Sequence, residues 1–261
     1  MEPEVLVGSG IAVLVAKEVI PKLLGPSASY VGESARNLLA RCDVNLNAIF
    51  SRAVVKLGDR LEEEGGVNPR VLKHLINEGA YCEGKLAREY YAGLLASAKS
   101  KNLQDDRALT YLYLVNELSS YQILMHHIAY RLFSKLFAGT KLNLALATNR
   151  QQLRFVLPLE IFIECADLKS DNADSVISHC ISGLCRHNLF ESTELLSSVS
   201  TVQPRKELVI TPTVFGSELL LWSEGIPEPM GQDLLDKNLK LPESVVSFCG
   251  EATKYSDRRY I

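Results

Sequence analysis

The strongest constraint on the fold is a helix-turn-ribbon-helix pattern in the last third of the chain. A helical run from Val176 to His187 ends in Asn188-Leu189-Phe190, and a later stretch reads Leu208-Val209-Ile210-Thr211-Pro212-Thr213-Val214-Phe215-Gly216 before another apolar helical run. A helix closing at a polar turn, two extended segments, and a Thr-Pro step opening a helix together read as a winged-helix-like α+β module. In this reading Leu159 to Leu168 is the first helix of the module and Ala173 to His187 the second. Glu194 to Ile210 supplies two ribbon strands with Gln203-Pro204-Arg205-Lys206 at their tip, and Thr211 to Trp222 is the closing helix.

Upstream the pattern is helical. From Glu33 to about Glu64, Leu39, Cys42, Leu46, Ile49, Ala53, Leu57 and Leu61 recur at spacings of three and four, which makes one apolar stripe. Gly65-Gly66 should stop that helix, and Asn68-Pro69 supplies a cap and a first position for the next. Helix then continues to about Lys101 in two pieces around residues 79–84. Asp105-Asp106 caps another helix with Leu109, Leu112 and Val115 on its apolar face. Ser119-Ser120 opens a further one that runs to about Phe137 and ends at Gly139-Thr140. The expected protein is mainly α. A hydrophobic N-terminal helix occupies residues 1–24, a helical bundle 30–140, the winged-helix-like module 141–225, and a loosely structured tail 226–261.

Two of these segments resemble the Abi-alpha family, bacterial proteins linked to abortive infection. In the bundle they are Glu89-Tyr90-Tyr91-Ala92-Gly93-Leu94-Leu95-Ala96-Ser97-Ala98 and Leu118-Ser119-Ser120-Tyr121-Gln122-Ile123-Leu124. In the module they are the turn from Leu184 to Phe190, Ile210-Thr211-Pro212 and Phe215-Gly216. The resemblance covers residues 30–225 as a succession of elements. The family pattern has Gly where Asn188 stands, and Asn also tolerates a left-handed backbone. The resemblance implies a part in phage defence and brings no catalytic residues with it.

Side-chain chemistry agrees with a binding protein. The net charge of −3 over 261 residues argues against a broad polyanion-binding surface. Helix-bundle ribonucleases of the HEPN type need an Arg upstream of a catalytic His. None of His74, His126, His127, His179 or His187 has an Arg five to seven positions before it. No Glu-x-x-His pair suits a di-iron bundle. His179, Cys180, Cys185 and His187 form the one potential metal cluster, but five residues of helix turn Cys180 and Cys185 about 140° apart. The rings of His126 and His127 diverge by about 100° on their helix, one toward the core and the other toward an interface or solvent. Glu160 and Glu164 share a helix face without a third acid or a His. No enzyme activity, cofactor or metal is expected.

The candidate contact residues for nucleic acid or a protein partner are Ser178, Ser182, Arg186 and His187 on the module's second helix, with Arg205 and Lys206 on the wing. So few cations favour a protein partner or self-association over DNA. A winged-helix transcriptional regulator remains the alternative. Six scattered cysteines and an acidic N-terminus, Met1-Glu2-Pro3-Glu4, point to free thiols in the cytoplasm. The most hydrophobic stretch, Val5 to Leu24, has an uninterrupted core that stops at Ala16, short of the roughly 18 apolar residues that span a bilayer. Val5, Leu6, Ile11, Leu14 and Val15 are therefore candidates for a partner helix or for peripheral contact with the inner membrane. Membrane contact predicts co-sedimentation with liposomes, lost on deletion of residues 1–24; equal sedimentation of the truncated protein would rule it out.

Overall fold

The computed structural model describes residues 44–82, 84–169, 171–198 and 205–257. The chain is mainly α with a small antiparallel sheet of four strands. It divides into two compact units. One takes the chain up to Asn116 together with Trp222–Glu228, and the other takes Glu117–Leu221 and the chain from Pro229 onward.

In the first unit, helix α1 (Val44–Leu57) buries Leu46, Ile49, Ala53 and Leu57 of the apolar stripe together with Phe50, whereas Leu61, beyond the helix, is only half-buried. Leu39 and Cys42 lie outside the described residues. The helix stops seven residues before Glu64 because Gly58 turns left-handed at φ +52°. The chain then tightens into a 3₁₀ turn, Gly58–Glu62. The ammonium of Lys99 closes that turn by donating to the carbonyls of Arg60 at 2.6 Å, Leu61 at 3.1 Å and Glu63 at 2.6 Å. Helix α2 (Pro69–Gly79) starts as expected: the Asn68 side chain accepts from Arg70 N at 2.9 Å, and Pro69 holds the first helical position. Helices α3 (Lys85–Ser97) and α4 (Ala108–Glu117) follow.

The small residues of α3 are there for a backbone. A Cβ on Gly93 would lie 1.7 Å from the carbonyl oxygen of Ser223. Four residues on, Ser97 Oγ donates to the Trp222 carbonyl at 3.0 Å. Arg60 donates to the Gly225 carbonyl at 3.1 Å, and Trp222 stacks on Tyr111 at 5.3 Å. Beside this seat Lys56 lies 3.4 Å from Glu224 and 3.5 Å from Glu89, and Arg52 also pairs with Glu89. The side chains of Lys56 and Glu224 are only 9% and 5% exposed.

The second unit is built on α5 (Ser120–Phe137). Ser119 and Gln122 cap it reciprocally, with Gln122 N donating to Ser119 Oγ and Ser119 N to Gln122 Oε1. Thirteen of its eighteen residues are buried, so it is a core helix rather than one side of a bundle. Next come α6 (Ala147–Gln152), β1 (Phe155–Pro158), α7 (Leu159–Cys165), α8 (Ala173–Arg186), β2 (Phe190–Ser198), β3 (Arg205–Pro212), α9 (Val214–Ser223) and β4 (Thr253–Lys254). The sheet order is β2-β3-β1-β4, every pair antiparallel, with Phe155 opposite Ile210 and Thr193 opposite Ile210 on its other side.

Two expectations about domain limits need correction. Residues 30–140 do not form one bundle: α5 belongs with the sheet, because its apolar surface runs all round the helix and meets α7 and α8. Residues 226–257 are not loosely structured. They carry a 3₁₀ turn, Gly231–Leu235, whose Leu234 and Leu235 are buried, and the strand β4. Single apolar residues and hydrogen bonds involving side chains distant in sequence hold this segment, and neither leaves a periodic trace in the sequence.

Gly93→Ala should cost about 3 kcal/mol or more, because backbone stands where the methyl would go. Gly58→Ala, with open space around it, should cost about 1 kcal/mol from its left-handed backbone alone. Urea unfolding of the two variants measures both; equal losses would show that Gly93 is not a close-approach site.

Candidate nucleic-acid and partner interface

The helix-turn-ribbon region is held from beneath by α5. Helix α8 buries Ala173, Ile177, Cys180 and Leu184, a stripe at spacings of four, three and four. Gly183 faces α5 so closely that a Cβ there would lie 1.8 Å from Gln122 Nε2. Gln122 in turn donates to the His179 carbonyl at 3.4 Å. The helix ends at His187, after which Asn188 takes φ +55°. Leu189 N reaches back to the Leu184 carbonyl at 2.9 Å, and Asn188 N to that of Cys185 at 3.0 Å. This left-handed closure is the geometry that Asn or Gly favours.

A buried polar knot fixes the turn against the start of α9. Tyr130 Oη donates to the Leu189 carbonyl and accepts from Thr213 N at 3.0 Å. Thr213 Oγ1 lies 2.9 Å from the Asn188 carbonyl and 3.1 Å from that of Leu189, and it accepts from Gly216 N at 2.8 Å. His126 Nε2 bonds the Gly216 carbonyl at 2.9 Å. A Cβ on Gly216 would fall 2.1 Å from Tyr130 Oη and 2.4 Å from the Leu189 carbonyl oxygen. Asn188, Thr213 and Gly216 therefore earn their places through this packing. Burial pushes the Tyr130 hydroxyl pKa up, so it stays a neutral donor.

The outer face of α8 presents Ser175, Ser178, His179, Ser182 and Arg186 to solvent. Ser178, Ser182 and Arg186, four residues apart in turn, share one side of the helix. His187 sits at the helix end, its Nδ1 3.6 Å from Glu117 and its Nε2 3.4 Å from the Arg186 guanidinium. Lys206 does not project freely: its ammonium lies 2.5 and 2.7 Å from the two carboxylate oxygens of Asp174. Arg205 opens β3 opposite Ser198, and the rest of the expected tip, Gln203 and Pro204, lies outside the described residues. So do Val5, Leu6, Ile11, Leu14 and Val15. No described helix is long and apolar enough to cross a membrane.

Sequence reasoning missed the ion pairs that border this face. Arg150 binds Glu191 at 2.5 Å, and Arg154 binds Glu194 at 3.1 Å. Each joins residues about forty positions apart, beyond any helical or strand spacing.

The described residues bring no reactive set together. Ser119 Oγ lies 3.1 Å from His179 Nε2 and also accepts the amide N–H of Gln122 in the first turn of α5, a capping role. Cys180 is buried, and burial pushes its thiol pKa up to about 12. Among the described residues no cluster of His, Cys, Asp or Glu could hold a metal. The tandem histidines differ from expectation: both are buried, His126 on Gly216 and His127 with Nε2 2.8 Å from Ser244 Oγ. The C-terminal segment covers the side of α5 expected to meet an interface or solvent.

Comparison with protein-family models, with curated proteins and with solved structures finds no match.

Burial holds the His126 pKa down to about 4, well below its ordinary 6.5, against the opposing pull of the Gly216 carbonyl. The ring is neutral in the folded chain and takes up a proton on unfolding below about pH 6.5. Stability should therefore fall as pH drops from about 6.5 to about 4, by on the order of 3 kcal/mol from this group. His126→Gln, which retains an N–H donor, should lose less between pH 7.5 and 4.5 in urea unfolding. An identical loss in both proteins would assign the effect to other groups.

Proposed function

We propose that the second unit is a winged-helix module that binds a protein partner rather than DNA, in a protein resembling Abi-alpha with a part in phage defence. Support for the winged-helix reading is the order α5-α6-β1-α7-α8-β2-β3, with β1 joined to β3 and the β2-β3 ribbon following α8 directly. In such modules the helix before the ribbon is the one that enters a DNA groove.

The observation that carries the choice of partner is charge. Across α8, β2 and β3 the acids are Asp174, Glu191, Glu194 and Glu207, against the bases Arg186, Arg205 and Lys206. Lys206 is held by Asp174, and Arg150 and Arg154 at the border are held by Glu191 and Glu194. Binding to duplex DNA draws most of its non-specific affinity from phosphate neutralisation by Lys and Arg, and on this surface most cations are already neutralised by carboxylates.

The wild-type chain should show no retention of duplex DNA by fluorescence anisotropy at about 150 mM salt. Micromolar binding there, weakened by Arg186→Ala and Arg205→Ala, would instead establish the transcriptional-regulator reading. The defence role is tested by expressing the chain in bacteria challenged with a phage panel. Plating efficiency should fall at least tenfold for one or more phages, and Ser178→Arg with Ser182→Arg should restore it at unchanged thermal stability. Equal plating with and without the protein across the panel removes the defence reading.

A further inference from the structure

The C-terminal segment is strapped across the second unit away from the helix-ribbon face. Arg131 donates to the Pro242 carbonyl at 2.7 Å, and His127 meets Ser244. Cys165 Sγ, at the end of α7, donates to the Ser247 carbonyl at 3.8 Å. Three residues later Gly250, at φ +132°, lies so close to α7 that a Cβ there would stand 2.6 Å from Ile161 Cδ1. The strap then pairs β4 with β1.

Ile161 and Cys165 are one helical turn apart on the same face of α7. Ser247 touches Cys165 and Gly250 touches Ile161, so the strap runs antiparallel to α7. Cys249 is carried between those two contacts. Both thiols are free; Cys249 is exposed and Cys165 half-buried. The Cys165 pKa is raised by burial first, then by Glu164 and by Cys249.

We propose that Cys165 and Cys249 are a modification site, a pair that closes into a reversible disulfide under peroxide and fastens the strap to α7. The inference is independent of the partner-binding reading. The exposed Cys249 thiolate attacks the peroxide, breaking the O–O bond and forming a sulfenic acid with loss of water. The Cys165 thiolate then attacks that sulfur, an S–S bond forms, and hydroxide leaves and takes up the proton Cys165 has shed. Two thiols and one peroxide give one disulfide and two waters. A dithiol reductant reverses the closure.

The test uses the full chain, reduced, desalted and exposed to hydrogen peroxide, then digested with trypsin without reduction. Cys165 falls in the peptide of residues 155–169 and Cys249 in that of residues 241–254, each with a single cysteine. The expected product is these two peptides joined, two hydrogens lighter than their sum, as the dominant cross-link and absent after reduction. Because the bond closes a long loop, the oxidised wild type should melt higher by roughly 5 °C, a shift absent in Cys165→Ser and Cys249→Ser. Cys249 accumulating as sulfinic acid, or linked between two molecules while Cys165 stays reduced, would overturn the proposal. Recovery of both peptides unmodified would overturn it equally.

Discussion

The hydroxyl of Tyr130 is the point on which the second unit turns. It is fully buried, and it satisfies the carbonyl of Leu189 and the amide of Thr213 at once. Those two groups belong to the turn after α8 and the start of α9, one residue beyond the last pair of the β2–β3 ladder, Phe190 opposite Pro212. An unmet polar group buried here would cost about 1–3 kcal/mol, so the hydroxyl settles which backbone geometry is allowed. Gly216 follows as the residue without a side chain, Thr213 as the cap that shares the same oxygens, and Asn188 as the residue that turns left-handed.

The first unit solves a similar problem with glycine and charge. Gly93 lets a carbonyl touch the α3 backbone, and Ser97 bonds the carbonyl beside it. The cations Lys56 and Arg60 gather around the same seven-residue segment, Trp222–Glu228. In both units a stretch of sequence that looks like a family signature is a stretch where backbone meets backbone. Such positions restrict residue type through space and hydrogen bonding, without any ligand.

Local signals were legible and distant ones were not. Asn68-Pro69 and Ser119-Ser120 announce helix starts because a cap acts within three residues of itself. The stripe through Leu46, Ile49, Ala53 and Leu57 announces a buried face for the same reason. Gly58 breaks that helix early, and an isolated glycine within an apolar period gives no notice of its φ. The outward positions of Ser178, Ser182 and Arg186 follow from the stripe on the other side of α8. The pairing of Lys206 with Asp174 does not, since thirty-two residues separate them. β4 is two residues long and pairs with a strand nearly one hundred residues earlier, so alternation could not reveal it.

The seat for Trp222–Glu228 also sets an order of events during synthesis. Helices α1 to α4 leave the ribosome first, yet the segment that completes their packing follows roughly 110 residues later. At elongation rates of about 5–20 residues per second that is a wait of roughly 6–20 s. Over that interval the cleft beside Gly93 and the cations Lys56 and Arg60 stand without their natural cover. A chain built this way gains from a chaperone or from slow engagement of competing apolar segments. Its nascent N-terminal half is also more exposed to proteases than the finished fold.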